Sequence, residues 1–273
     1  MTAAQDRPAN AATPVGRMLR EWRAVRRISQ LDLALDSDIS TRHLSCIETG
    51  KAQPSRALLD QLADTLGMPL RERNALLLAA GYAPIYRESG LSAPELQLLA
   101  RAVDSILAQQ EPYPAFAVDR CWNVLAVNRG MTRLLGSIKP GGPLHGNILR
   151  QVFDPGDMRP HIGNWDEVAG DLIRHLHEAC ARNPVDHALH ALLDEVLAFP
   201  EVPSGWRRRE ARAPLPVITT VFIGPTGPLS FFSTLTGFGT SWDITAEETR
   251  IECMHPVDEA ARAYCRALAE RDW

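Results

Sequence analysis

With 273 residues, 45% hydrophobic and 23% charged, the chain has a globular composition and enough length for two domains of roughly 150 residues each. Its net charge of −4, from 29 Lys+Arg against 33 Asp+Glu, argues against a protein that coats nucleic acid or an anionic membrane over its whole surface. The balance is uneven: residues 1–90 carry 12 basic and 10 acidic side chains and residues 91–273 carry 17 and 23, so any DNA contact belongs to the front.

Residues 1–13 lack a basic-then-apolar signal pattern and read as a disordered lead. Five short helices are predicted over 14–82. In the first, Val15, Met18, Leu19 and Trp22 share one face, and Arg17, Arg20, Arg23 and Arg27 line the polar side. Ser29 with Asp32 caps a second helix ending near Leu35, and Ser40 caps a third running to Thr49, where Gly50 supplies a left-handed stop. A fourth follows the Ser55 cap and closes at Gly67; a fifth spans Leu70–Ala80 and stops at Gly81. Ala83 to Pro94, with two prolines and a glycine, reads as a linker over 83–94.

The second and third helices are joined by a tight turn at Asp36–Ile39. Leu33, Ile39, Leu44 and Ile47 point inward, which leaves Thr41, Arg42, Ser45 and Cys46 on the outer face of the third helix. This segment resembles the helix-turn-helix of the lambda-repressor-like, or XRE, family of bacterial regulators. The matching positions are Ser29, Gln30, Leu33, Ala34, Ser40, Ile47, Glu48, Gly50, Lys51 and Pro54. The resemblance implies a recognition helix entering the major groove of operator DNA, with Gln30 holding a phosphate and Thr41, Arg42 and Ser45 meeting bases. Ser40 and Lys51 set register on the backbone. Arg42 has the reach for a bidentate guanine contact, worth about 1–3 kcal/mol of discrimination. Glu48 reads as structural. A front of such modest charge binds tightly only as two copies on a two-fold site, so a homodimer is expected.

From residue 95 the chain mixes helical periods with β-branched and aromatic runs; 14 of its 17 aromatic residues lie after residue 90. A helix is predicted over 92–110, two strands around a turn at Asp119–Cys121, and a helix from Asn128 to Leu135. Asn164-Trp-Asp-Glu167 reads as a capping box for a helix over 165–182, and a further helix covers 185–198. A hairpin joins Leu215–Ile223 to Leu229–Phe238, followed by a strand at Arg250–His255 and a helix at 257–270.

A strand pair, short helices and then three strands is the order of a PAS-like domain, and the segment YPAFAVDRCWNVLAVNRGMTRLLG resembles a PAS opening. More closely, the chain is similar to the MmyB-type regulators, through STRHLSCIETGKAQPSR, LRERNALLLAAGYAPIYRE, EPYPAFAVDRCWNVLAVN, NWDEVA and LSFFSTLTGFGT. The expected fold is therefore an N-terminal all-α helix-turn-helix domain plus a C-terminal α+β PAS-like domain over 95–273, with an antiparallel sheet and flanking helices. The resemblance implies an apolar pocket for a long-chain fatty acid or other acyl ligand. Trp122, Trp165, Phe222, Phe231 and Phe238 are the candidate lining, each equally readable as plain core; Asn164, Arg120 or His161 would take a carboxylate head.

Cys46, Cys121, Cys180, Cys253 and Cys265 are scattered with no CxxC pair, which fits a reducing, cytoplasmic setting and no structural metal. No run approaches the ~18–20 apolar residues of a membrane span. GxSxG, GxxxxGK[ST] and strand-borne GxGxxG motifs are missing, so no enzyme or cofactor is expected. A competing reading makes the rear domain a protein-interaction or dimerisation module around a structural lipid.

Overall fold

The computed structural model describes residues 13–208, 217–239 and 242–271. Most of the expected lead, the start of the hairpin strand at Leu215 and the last two residues lie outside them. The chain divides into two compact units: the first ends at Arg87 and takes in Ala181–Val185, and the second holds the remainder.

The first unit is all helical: α1 Pro14–Arg26, α2 Gln30–Asp36, α3 Thr41–Glu48, α4 Arg56–Thr65 and α5 Leu70–Ala79. Four of the five helix starts have a side-chain cap. Thr13, Ser29, Ser40 and Ser55 accept hydrogen bonds from the first-turn amides of α1 to α4, and Ser29 forms a reciprocal capping box with Asp32. The five apolar stripes meet in one core around Trp22, Leu19, Leu33, Leu44 and Leu62. Gly16 lets α1 approach α3, because a Cβ there would stand 2.2 Å from the Glu48 carbonyl oxygen.

The second unit opens with a 3₁₀ turn at Pro94–Leu96 and α6 Gln97–Gln109. It continues through β1 Ala115–Val118, β2 Val124–Val127, α7 Arg129–Ile138, α8 Ile148–Phe153, α9 Trp165–Arg182 and α10 His187–Leu197. It closes with β3 Thr219–Gly224, β4 Gly227–Gly237, α11 Ile244–Glu248, β5 Arg250–Pro256 and α12 Glu259–Ala269. The strands form one antiparallel sheet in the order β2-β1-β5-β4-β3. Strand alternation gives it two apolar faces. Ala115, Ala117 and Ile251 turn toward Val103 and Leu107 of α6. Phe116, Val118, Phe222, Phe231 and Met254 turn the other way, into a large core shared with α7 to α10 and α12.

Two joints hold this second unit. Buried Asn128 accepts from the amides of Ala115 and Met131 and donates to the carbonyls of Leu107 and Tyr113, tying α6, β1 and α7 together. Asp186 caps α10 through the amides of Ala188 and Leu189 and takes Nε and Nη2 of Arg120 at 2.7 and 3.3 Å. Burial alone pushes the Asp186 carboxyl up, but the Arg120 hydrogen bond and charge, with the two amides, leave it below its ordinary 3.8. A depressed carboxylate adds stability that is complete above that value and is lost as the pH falls through its lower folded value. Asp186→Asn is therefore expected to flatten the pH dependence of stability below about pH 4, in acid titrations followed by circular dichroism.

Several expectations need correction. Asn164 does not close a capping box through its side-chain oxygen. That oxygen accepts from Val221 N–H, while Nδ2 donates to Thr219 O and to Glu167. The residue welds the start of α9 to β3, 57 positions away in sequence. The short helices α8 and α11 had no forecast, and the helix forecast over 92–110 is a 3₁₀ turn followed by α6.

Candidate DNA interface and ligand pocket

The α2–α3 pair supplies the first site. The Ser40 cap fixes the start of α3, and Leu44 and Ile47 anchor its inner side in the core. Thr41, Ser45 and Cys46 remain half-buried on the outer side, and Arg42, His43 and Lys51 are exposed. Among the described residues neither Arg42 nor Lys51 has an ion-pair partner.

Glu48 behaves differently. It is 2% exposed, and its carboxylate receives Nε and Nη2 of Arg23 at 2.7 and 3.1 Å and Nε2 of Gln30 at 2.9 Å. Arg20 donates to the Glu48 carbonyl at 3.2 Å. One acidic side chain thus fastens α1, α2 and α3 together. Gln30, expected on a phosphate, has one amide N–H engaged inside the unit.

The second site lies on the Phe116 face of the sheet, where two cavities share a wall of Phe116, Met131, Leu135, Ile148 and Gln151. The larger holds about 670 Å³, within the range of small-molecule sites. Its rim is at the surface, through Val127, Thr132, Pro140 and Gly141. The rim loop Lys139-Pro-Gly-Gly-Pro143 turns at Gly141 and Gly142, with φ of 89° and 73°, a conformation that disfavours other side chains. Fully buried Asp157 pins it, accepting from Lys139 Nζ and from the amides of Leu144 and His145. Arg133 and His145 are the titratable lining side chains; Arg133 pairs with Glu111 at 3.7 Å and His145 with Asp154 at 2.7 Å.

The smaller chamber, about 100 Å³, lies deeper, lined by buried Val152, Met158, Ile162, Phe222 and Met254, with Trp122 and Glu252. Trp122 is held at φ 65° in the turn after β1. There the Asp119 carboxylate accepts from the amides of Cys121 and Asn123. The neighbouring Cys121 thiol is pushed up to about 11, chiefly by burial, and stays protonated at neutral pH.

Of the aromatic candidates, Trp122 and Phe222 line the chamber. Phe231, with no exposed surface, is core behind Phe222, and its ring meets that of Phe222 edge-on at 6.1 Å. Trp165 packs between Phe153 and Trp206, donates to Val152 O and carries the Arg159 guanidinium 3.8 Å above its ring. Phe238 belongs to the opposite face, with the α6 side chains. Asn164, Arg120 and His161 line neither cavity. Sequence reasoning missed Glu252. The signal was the alternation in β5, where Ile251 and Cys253 take one face and Glu252 and Met254 the other.

A five-helix unit with an outward recognition helix, followed by a sheet domain with an internal apolar pocket, defines a DNA-binding protein that also binds a ligand. Comparison with protein families agrees. Residues 99–268 match the MmyB-like transcription regulator ligand binding domain, and residues 14–76 match a helix-turn-helix domain. The chain belongs to the MmyB-like transcription regulators. No curated protein matches it. A solved structure described as an RNA-binding Light-Oxygen-Voltage receptor is similar over 94% of this chain, at 13% identity and a TM-score of 0.27. This chain spans 63% of that receptor's length.

Among the described residues no helix is long and apolar enough to cross a membrane, and no group of His, Cys, Asp and Glu is placed to hold a metal ion.

Proposed function

We propose that this regulator acts in the cytoplasm as a homodimer on a two-fold operator, and that an acyl compound such as a fatty acid in the rear pocket shifts its affinity for DNA. The observation that carries the DNA reading is the division of labour around α3. Glu48, Arg23 and Gln30 are joined to one another, while Arg42 and Lys51 stand exposed on the outer side. Thr41, Arg42 and Ser45 then face bases, and Gln30, Ser40 and Lys51 face the phosphate backbone. The ligand acts by favouring one of two dimer geometries, and it can shift the balance only by its difference in affinity for them. Nothing in this scheme needs a catalytic step, and the two domains are those of a regulator.

The test is a gel shift on an operator selected from random DNA. Arg42→Ala is expected to weaken that operator by about 1–3 kcal/mol and to relax one base position. Lys51→Ala should weaken all sequences alike and lower the salt slope by about one. Unchanged binding by both variants would remove α3 as the reader.

A further inference from the structure

The two adjoining cavities differ in their polar lining. At the surface rim, Arg133 and His145 line the larger cavity, paired with Glu111 and Asp154 respectively. In the smaller chamber, half-buried Glu252 is the one ionisable side chain among the described lining residues. Its position follows from the strand register: Glu252 on β5 stands opposite Phe116 of β1 and Leu235 of β4, and shares a face with Met254. An acid among such neighbours is costly to keep unless something hydrogen-bonds it. Burial pushes its carboxyl up, a hydrogen bond from Ser233 pulls the other way, and the net shift is upward, which favours the uncharged form. A carboxyl has several hydrogen-bonding sites, and the Ser233 bond leaves part of that capacity unused.

We infer that the pocket takes a bifunctional acyl chain, its anionic head at the Arg133 and His145 rim and an uncharged hydrogen-bonding group, a hydroxyl or amide, at Glu252. An unsubstituted fatty acid lying the same way would bring a methyl end against this polar group and leave the capacity beyond the Ser233 bond unmet. A chain entering carboxylate-first would carry its anion into a chamber whose described lining holds no cationic side chain. A hydrogen-bonding group at the far end removes both difficulties. Thr220 and Gln151 are the other polar lining side chains of the chamber and supply further partners. This inference rests on the reading of the rear unit as an acyl-binding domain.

The test compares two probes that differ only at the far end, dodecanoate and omega-hydroxydodecanoate, by isothermal titration calorimetry on the full chain at neutral pH. The hydroxylated probe is expected to bind roughly tenfold tighter or better, although a purely apolar chamber would penalise its hydroxyl. Glu252→Leu should reverse the order, and Glu252→Gln, which keeps size and hydrogen bonding, should preserve it. The Gln variant also keeps the test valid if the Leu variant does not fold. Equal or tighter binding of dodecanoate to the unmodified protein, with the order unmoved in either variant, would overturn the role of Glu252 while leaving an acyl pocket standing. Binding of neither probe to the unmodified protein would instead defeat the acyl-pocket reading on which the inference rests, and the inference with it.

Discussion

Replacing Glu48 with alanine is expected to destabilise the front unit by about 3–5 kcal/mol, the range for removing one partner of a buried ion pair. The change would leave the Arg23 guanidinium, 17% exposed, without its carboxylate, and Gln30 without its acceptor. It would also loosen the charged contact that joins α1, α2 and α3. Operator binding should disappear with the fold, so the informative measurement is calorimetric. The melting transition of the front unit should move down while that of the rear unit stays in place. A double variant separates charge from shape. Arg23→Met combined with Glu48→Leu removes both charges and should recover most of the loss, because buried pairs are often replaceable by apolar groups of similar volume. If Glu48→Ala moves the transition by less than about 1 kcal/mol, the network contributes no more than an ordinary surface pair.

The second large effect is expected at Asn128. Asn128→Leu keeps the volume and deletes four hydrogen bonds, orphaning the Ala115 and Met131 amides and the Leu107 and Tyr113 carbonyls. With each buried unsatisfied group costing about 1–3 kcal/mol, a loss of at least about 4 kcal/mol is expected for the rear unit. Asn128→Asp retains the accepting oxygen and loses both donated bonds, so it should fall between. Urea unfolding followed by fluorescence reads this directly, since five of the six tryptophans lie in the rear. An Asn128→Leu protein as stable as the parent would mean that water or backbone rearrangement meets those four groups.

What the sequence discloses depends on how far a residue's partners lie along the chain. The five front helices were legible because the residues that set their ends lie within four positions of them: Ser29 with Asp32, Ser40 with the His43 amide, Ser55 with the Leu58 amide. Asn164 deceived for the same reason in reverse. It stands before an apolar helix with Glu167 three residues on, as a cap would, yet its oxygen answers to Val221. The helices α8 and α11, with six and five residues, are too short for a 3.6-residue period to declare itself. Phe238 and Phe231 look alike in sequence and fall on opposite faces of the sheet, because Phe238 follows the end of β4 an odd seven positions after Phe231 and side chains alternate along a strand. Glu252 was hidden because its meaning comes from Phe116, more than a hundred residues earlier.

The single carboxylate that fastens α1, α2 and α3 limits what a signal can do to the front unit. Tilting the recognition helix on its own would strip Glu48 of Arg23 and Gln30 together, at a free energy comparable to a whole allosteric coupling. On the scheme proposed above, α3 would therefore be carried as a rigid stylus. A message from the rear would alter where that stylus comes down and how long it stays, and the base sequence it prefers would be the same in both states.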